Sequence, residues 1–417
     1  MKEVNAPLGG AEKLTIWTRN YMCIFIAQAF MSLSNSSVNT LVVRYARDAL
    51  GVGDVLIGML AGLFYAVAIA CRPVAGPMQT KLDKRKLLLF VYATGGIVNL
   101  GYALFNTTAA FVTFRILQGV QYSFMGSLSL TIAADSVPKE KMASAIAIYG
   151  VGGAVSQALG PNIGMWLRNL GPTLRDGAEG IALGYQLAFF FAAAILVIAA
   201  IPVFMLSFPK QAKEKMATTG AWYKNIISIH AAPMTIVMFF AMMAYSVYNN
   251  YLDAFAEERG ILGINMFFTV SAVVMIVTRP VSGTLVEKLG MKRVLPTGMV
   301  LIGISLLLVG NSTGLPLILV GAFFAALGFG TMQPGLQAVC LQSETKLKRA
   351  VASNTLFTGI DLGSFVGPLV SGIVVARSNY ATVMLAALVP LALALILFFV
   401  FLPGYTKRVN EIEALGE

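Results

Sequence analysis

The sequence predicts an all-α membrane protein with twelve transmembrane helices, arranged as two pseudo-symmetric six-helix bundles. Three observations support this fold class. The 417 residues are 57% hydrophobic and only 12% charged, with a mean hydropathy of +0.77, whereas soluble proteins carry about 25% charged residues. Apolar stretches of about 20 residues, the length that crosses a bilayer, recur along the chain. A short polar signature also occurs twice, half a chain apart.

The predicted spans form two sets of six, one on each side of a long polar stretch. The first set occupies residues 21–46, 54–80, 86–105, 109–134, 141–168 and 184–207. The second set occupies residues 231–256, 264–286, 292–311, 314–340, 348–376 and 380–404. The chain therefore divides into an N-terminal half (1–207), a cytoplasmic linker (208–229) and a C-terminal half (230–417). The polar first 20 residues do not resemble a cleavable signal peptide.

The repeated signature lies at the end of the second span of each set. It reads CRPVAGPMQTKLDKRK at residues 71–86 and TRPVSGTLVEKLGMKR at residues 278–293. The interval from Arg72 to Arg279 is 207 residues, and Gly160-Pro161 and Gly367-Pro368 are separated by the same interval. Each half is therefore one copy of a duplicated six-helix unit, and a site between two such halves is a common plan among transporters.

The net charge of +11 arises from 30 Lys and Arg against 19 Asp and Glu. Most of the basic residues gather in short segments between the apolar spans, which is the pattern of a membrane protein and not of a nucleic-acid-binding protein. If both termini are cytoplasmic, 21 of the 30 fall in cytoplasmic segments and six in outer segments. The sequence therefore predicts a multi-pass protein of the cytoplasmic (inner) cell membrane with both termini inside.

Several of these motifs resemble those of the major facilitator superfamily. The second signature matches the family's loop motif of glycine, acid and basic residues through Gly283, Glu287, Lys288, Gly290, Lys292 and Arg293. The first signature keeps Gly76 but has Thr80 in place of the acid and Asp83 in place of the later glycine. GVGGAVSQALGPNIG in the fifth span looks like the motif of proton-driven antiporters in the drug and metabolite efflux branch. The resemblance covers the whole chain and implies the major facilitator fold and a monomer.

Three charged residues are candidates for proton coupling, because a charge inside the bilayer is costly and usually functional. They are Asp361, Arg115 and Asp253. Asp361 lies well inside the eleventh span, where a carboxyl group could alternate between its protonated and charged forms or brace the helix. Arg115 in the fourth span could hold a proton-binding acid, an anionic substrate or a neighbouring helix. Asp253, near the outer end of the seventh span, is either a substrate-side acid or part of a solvated helix end.

The two signatures and the two Gly-Pro motifs are candidates for the gate. The residues are Arg72, Gly76, Arg279, Gly283, Glu287, Lys288, Gly160, Pro161, Gly367 and Pro368. Arg72 and Arg279 precede a proline at the inner ends of their spans. Long Arg side chains at such positions can reach the lipid headgroups or bond the carbonyls of a facing helix end. A gating or structural role is favoured over contact with substrate.

Uncharged polar residues within the spans outline a central cavity. In the family that the chain resembles, spans 1, 4, 7 and 10 line this cavity. The candidates for substrate binding are Asn35, Asn39, Gln121, Tyr122, Gln157, Tyr245, Tyr248, Asn249, Gln333, Gln337 and Asn354. Asn35 and Asn39 are four residues apart and share one helical face. Hydrogen bonding between helices is the alternative for each residue taken singly.

These features predict a secondary active transporter that moves a small molecule by alternating access, coupled to protons. The favoured form is an antiporter that exports drugs or amphipathic metabolites; the alternative is a carrier for uptake or exchange of small organic anions, with Arg115 and Arg44 as ligands. An enzyme is disfavoured, because the lone histidine, His230, lies beside the linker and no phosphate-binding loop or nucleophile–base pair is evident. The expected partners are the substrate, protons and the lipid bilayer, with no cofactor and no metal.

Overall fold

The computed structural model describes residues 15–48, 50–51, 54–207 and 226–414, and these residues form two sets of long helices. The first set is α1 (Arg19–Asp48), α2 (Asp54–Lys81), α3 (Lys84–Leu104), α4 (Thr108–Asp135), α5 (Met142–Leu174) and α6 (Gly177–Phe204). The second set is α7 (Ala232–Glu258), α8 (Asn265–Leu289), α9 (Met291–Gly310), α10 (Leu315–Gln342), α11 (Arg349–Val375) and α12, which comprises Tyr380–Ala386 and Leu388–Ala414. Most of the predicted linker, residues 208–225, lies outside the described residues.

Each predicted span coincides with one of these helices, and several helices are longer than predicted. Helix α6 begins at Gly177 and not near residue 184. The second segment of α12 continues to Ala414, ten residues beyond the predicted end at residue 404. A helix can continue from the bilayer into water, whereas hydropathy detects only its apolar part.

Nine helices of the described chain are long and apolar enough to cross a membrane, namely α3 and α5 to α12. The other three, α1, α2 and α4, carry polar side chains that point into the protein. Helix α4 buries Arg115, Gln118 and Gln121, and α2 buries Arg72 and Gln79. The crossings by α1, α2 and α4 stay predictions.

The helices pack in the same way within each half. Helix α1 packs against α5 and α6 in the first half, and α7 packs against α11 and α12 in the second. The glycines of the two Gly-Pro motifs permit the equivalent close approaches: a Cβ atom at Gly160 would overlap Ser36 of α1, and one at Gly367 would overlap Ser246 of α7. The two halves therefore repeat one pattern of helix packing, in agreement with the repeat in the sequence.

The two halves meet along two seams. In one seam α2 and α4 of the first half pack against α11, and in the other α5 packs against α8 and α10. We call the end of the bundle that carries the short connections 82–83, 136–141, 290 and 343–348 the basic end. Close to this end, a Cβ atom at Gly283 of α8 would overlap the backbone of Ser144 in α5. The halves are thus in tight contact at the basic end.

Candidate functional site

A buried ion pair joins the two halves in the α2–α11 seam. Nε and Nη2 of Arg72 donate hydrogen bonds of 3.0 and 2.8 Å to Oδ2 of Asp361. Each side chain is only 1% exposed. Arg72 lies nine residues before the end of α2 at Lys81, about 13 Å along the helix. It therefore does not extend to the lipid headgroups, which was one of the two roles considered for it from the sequence.

Residues from two other helices, α4 and α11, hold Arg72 in place. Nη1 of Arg72 donates to the carbonyl oxygen of Ser123 in α4 at 2.7 Å. From α11, Nδ2 of Asn354 donates to the carbonyl oxygen of Arg72 at 2.7 Å, and the ring of Phe357 lies 5.2 Å from the guanidinium carbon. Asn354, predicted to bind substrate, thus supports the backbone of Arg72 in this arrangement.

The ion pair contains one group that can lose its charge and one that cannot. A carboxylate is neutralised by one proton, whereas a guanidinium stays charged under protein conditions. Breaking a buried ion pair by removing one partner strongly destabilises a protein, because the other charge is left uncompensated. Protonation of Asp361 would therefore weaken the contact between the halves at this seam.

Arg279 occupies the equivalent place in the α5–α8 seam and is also buried, with 8% exposure. Its Nη2 donates to Oε1 of Gln333 in α10 at 3.0 Å. A Cβ atom at Gly150 of α5 would overlap Nη1 of Arg279, so the guanidinium lies directly against that helix. In the part of the chain that the structure describes, no carboxylate forms an ion pair with Arg279.

Further ionic contacts connect the halves at the basic end, and the two shortest involve Glu287 and Asp135. Glu287 of α8 pairs with Lys141 at 3.2 Å and accepts a hydrogen bond of 3.1 Å from the backbone N–H of Ser144. Asp135, the last residue of α4, pairs with Arg349 at the start of α11 at 3.2 Å. The loop acid of the second signature thus binds the facing half. In the first half, where Thr80 replaces that acid, Asp135 provides the contact instead.

The other two proton-coupling candidates lie away from the ion pair. Arg115 is 5% exposed; its Nη1 donates to Oε1 of Gln118 at 2.7 Å, and its guanidinium carbon lies 4.7 Å from the centre of the Phe64 ring. These contacts all belong to the first half. Asp253 is exposed near the C-terminal end of α7, opposite the basic end.

The predicted substrate-binding residues fall into small groups. Asn35 and Gln121 both donate to Sδ of Met125, at 3.0 and 3.6 Å. Tyr245 stacks on Phe329 with ring centroids 3.7 Å apart. The rest are distributed as follows: Tyr122 lies against Phe64, Tyr248 is buried with its hydroxyl 2.7 Å from Oγ of Ser305, Gln337 is half-buried, and Asn39, Gln157 and Asn249 are exposed.

The predicted gating residues are divided between the seams and the interiors of the halves. Arg72, Arg279, Gly283 and Glu287 lie at the seams. Gly76 is buried in α2, and Lys288 is exposed at the end of α8. The two Gly-Pro motifs, Gly160-Pro161 and Gly367-Pro368, lie where helices pack within one half. Any part they have in gating would act through that packing, and it stays a prediction.

Sequence reasoning did not identify several residues of the seams. Asp135 with Arg349, and Lys141 with Glu287, form ion pairs between the halves at the basic end, and Gly150 accommodates Arg279. Asp135 could have been noticed as a single acid at the end of an apolar span, facing a basic segment. Its partner in the other half could not be chosen from the sequence.

Helices in two repeated halves, with buried charges where the halves meet, are a common plan among membrane transporters. The chain belongs to the Major Facilitator Superfamily, whose family model matches residues 24–261 and 234–415. Members of this family are transporters, so the chain is a transporter and not an enzyme.

Known proteins of the family show similarity over most of the chain. The multi-drug resistance efflux pump PmrA of Streptococcus pneumoniae is 25% identical over 354 residues, which cover 81% of this chain and 85% of that protein. Multidrug resistance protein 2 of Bacillus subtilis is 26% identical over 341 residues, covering 76% and 79%. The crystal structure of the transporter FucP in its outward conformation has a TM-score of 0.75 at 15% identity, covering 94% of this chain and 99% of that one.

Proposed function

We propose that this transporter is a proton-coupled antiporter that exports drugs or amphipathic metabolites across the cytoplasmic membrane by alternating access. The observation that supports this most strongly is the ion pair between Arg72 and Asp361, because it joins the two halves and contains a group that a proton can neutralise. Two similar proteins are named as multidrug efflux or resistance proteins. Their names favour export, and the antiporter-like motif of the fifth span favours exchange for protons.

The arrangement of the halves suggests how the cycle runs. With the basic end cytoplasmic, as the positive-inside rule predicts, contact at that end closes the protein toward the cytoplasm. A proton from outside neutralises Asp361, the contact with Arg72 weakens, and the basic end opens. Release of that proton to the cytoplasm restores the ion pair and returns the halves to the outward arrangement.

Export follows if substrate enters from the cytoplasm while the basic end is open. Loss of the proton from Asp361 then favours closure of the basic end around the bound molecule. Each cycle would carry protons inward and substrate outward. An uptake or exchange carrier for organic anions would use the same rocking motion with the opposite direction or a different coupling.

Inverted membrane vesicles with an acidic interior provide the test. A fluorescent dye reports the pH gradient while ethidium, as a lipophilic cation, or 4-phenylbutyrate, as a small carboxylate, is added outside. Each signal is corrected for vesicles without the protein. We expect at least one probe to collapse the gradient with the wild type and not with Asp361→Asn. The matched control is Asp176→Asn, which changes an exposed acid before α6 and should behave as the wild type. A response that is equal in Asp361→Asn would refute proton coupling through this residue.

A further inference from the structure

The duplication places Arg72 and Arg279 in equivalent surroundings. Arg72 of α2 contacts α4 through Ser123 and α11 through Phe357. Arg279 of α8 contacts α10 through Gln333 and α5 through Gly150. Phe357 and Gly150 are themselves 207 residues apart, the same interval that separates the two arginines. The two guanidinium groups therefore meet the opposite half at the same position of the repeat.

The two seams differ in the acid that faces the arginine. Arg72 has Asp361, and the residue 207 positions before Asp361 is Ala154 in α5. Ala154 provides no carboxylate, and among the described residues Arg279 has Gln333 as its hydrogen-bond partner while its Nε has none. The repeat thus contains two buried cations at its seams and a counter-charge for only one of them.

An uncompensated buried guanidinium is costly to retain. The charged side chains buried along the spans, away from the basic end, are Arg72, Arg115, Arg279 and Asp361. Positive charge is therefore in excess in the interior of the described bundle. An ionisable side chain inside a membrane protein is by default a candidate for a functional site. The charge at Arg279 is complementary to an anion.

We propose that Arg279 binds the anionic group of the transported molecule, a carboxylate, in the α5–α8 seam. This inference rests on the proposed function and specifies its substrate class as a small amphipathic carboxylate. The planar guanidinium offers donors in a fork that fits a carboxylate, and the amide of Gln333 lies beside it. In this proposal, the apolar part of the molecule would lie against the stacked rings of Tyr245 and Phe329 in the same half.

The position of Arg279 links binding to closure of the halves. Gly283 and Glu287 follow Arg279 by four and eight residues, so all three lie along one face of α8. Gly283 and Glu287 contact α5 at Ser144, nearer the basic end. A bound carboxylate would neutralise Arg279 as Asp361 neutralises Arg72. The α5–α8 seam would then be closed with its charge balanced, as the α2–α11 seam is in this arrangement.

Thermal unfolding of the purified full-length protein in detergent tests the assignment without any membrane potential. Three probes share one apolar part and differ in charge: 4-phenylbutyrate, 4-phenylbutyramide and 4-phenylbutyltrimethylammonium. We expect the carboxylate to stabilise the wild type at lower concentration than the other two. Arg279→Gln should weaken this effect at least about tenfold, since a hydrogen bond to a charged group is lost.

Two other variants separate recognition from folding. Arg279→Lys keeps the charge but not the fork, so it should retain part of the preference for the carboxylate. Arg377→Gln changes an exposed arginine beyond the end of α11 and should match the wild type. If the carboxylate stabilises the wild type no better than its amide, or stabilises Arg279→Gln as well as the wild type, the assignment is wrong.

The same assay with Asp361→Asn distinguishes the two proposals. Asp361 lies in the other seam, so this variant should still prefer the carboxylate even though proton coupling is lost. A preference for the trimethylammonium probe, together with proton exchange that depends on Asp361, would overturn the anion site and leave the proton-coupled antiporter standing.

Discussion

Removal of either partner of the buried ion pair should destabilise the protein, and by unequal amounts. Asp361→Asn leaves Arg72 charged and 1% exposed, with only a neutral amide in reach of its Nε and Nη2. Breaking a buried pair in this way costs about 3–5 kcal/mol. Arg72→Gln leaves Asp361, which can take up a proton and become a neutral polar group. The cost should then be about 1–3 kcal/mol, that of a buried group without its partner.

The double variant determines whether the two residues act as a pair. Arg72→Gln combined with Asp361→Asn leaves no buried charge at this seam, so it should be more stable than Asp361→Asn alone. Unfolding in detergent, followed by tryptophan fluorescence, gives the order of the four proteins. The matched control is the pair Arg168 and Asp48, 24% and 30% exposed, whose coupling should stay near or below about 1 kcal/mol. Equal losses in the single variants that add in the double variant would refute the reasoning.

Two further changes test the packing at other points. Gly283→Ala places a Cβ atom against the backbone of Ser144. The resulting overpacking costs about 1–3 kcal/mol. It should lower the ratio of molecules with a closed basic end to molecules with an open one by about five- to 150-fold. Gly303→Ala is the control, because its new atom would meet only side chains at 3.5 Å or more, and it should leave closure unchanged. Labelling of a cysteine near the seam measures closure. Equal labelling in the two variants would contradict the prediction for Gly283→Ala. Tyr248→Phe removes the 2.7 Å bond to Ser305 and should lower stability by about 1 kcal/mol without changing the affinity for 4-phenylbutyrate; a loss of affinity would instead support the cavity role predicted from the sequence.

The arrangement of the helices was largely predictable. A bilayer requires about 20 apolar residues per crossing, and this requirement is readable in any single stretch of sequence. The repeat at Arg72 and Arg279 further indicated that the two halves share one design. Helix ends beyond the bilayer, such as that at Ala414, were missed because their residues are polar.

The pairing of side chains across the seams was not predictable from local patterns. Arg72 and Asp361 are 289 residues apart, and helical periodicity relates only residues within one helix. The span that contains Arg72 was predicted to end at residue 80 and ends at Lys81, but the sequence did not show that the arginine is buried. The intramembrane position of Asp361 marked it as a candidate, and its partner came from the three-dimensional arrangement.

The central claim is that protonation of Asp361 opens the basic end. Its most direct test is the distance between spin labels at Leu82 and Leu347, which are exposed on opposite halves at the basic end. The measurement uses protein whose three native cysteines have been replaced, in lipid nanodiscs at neutral and acidic pH. We predict that acid lengthens this distance in the wild type, and that Asp361→Asn shows the longer distance at both pH values. The same acid-dependent lengthening in Asp361→Asn as in the wild type would contradict the claim.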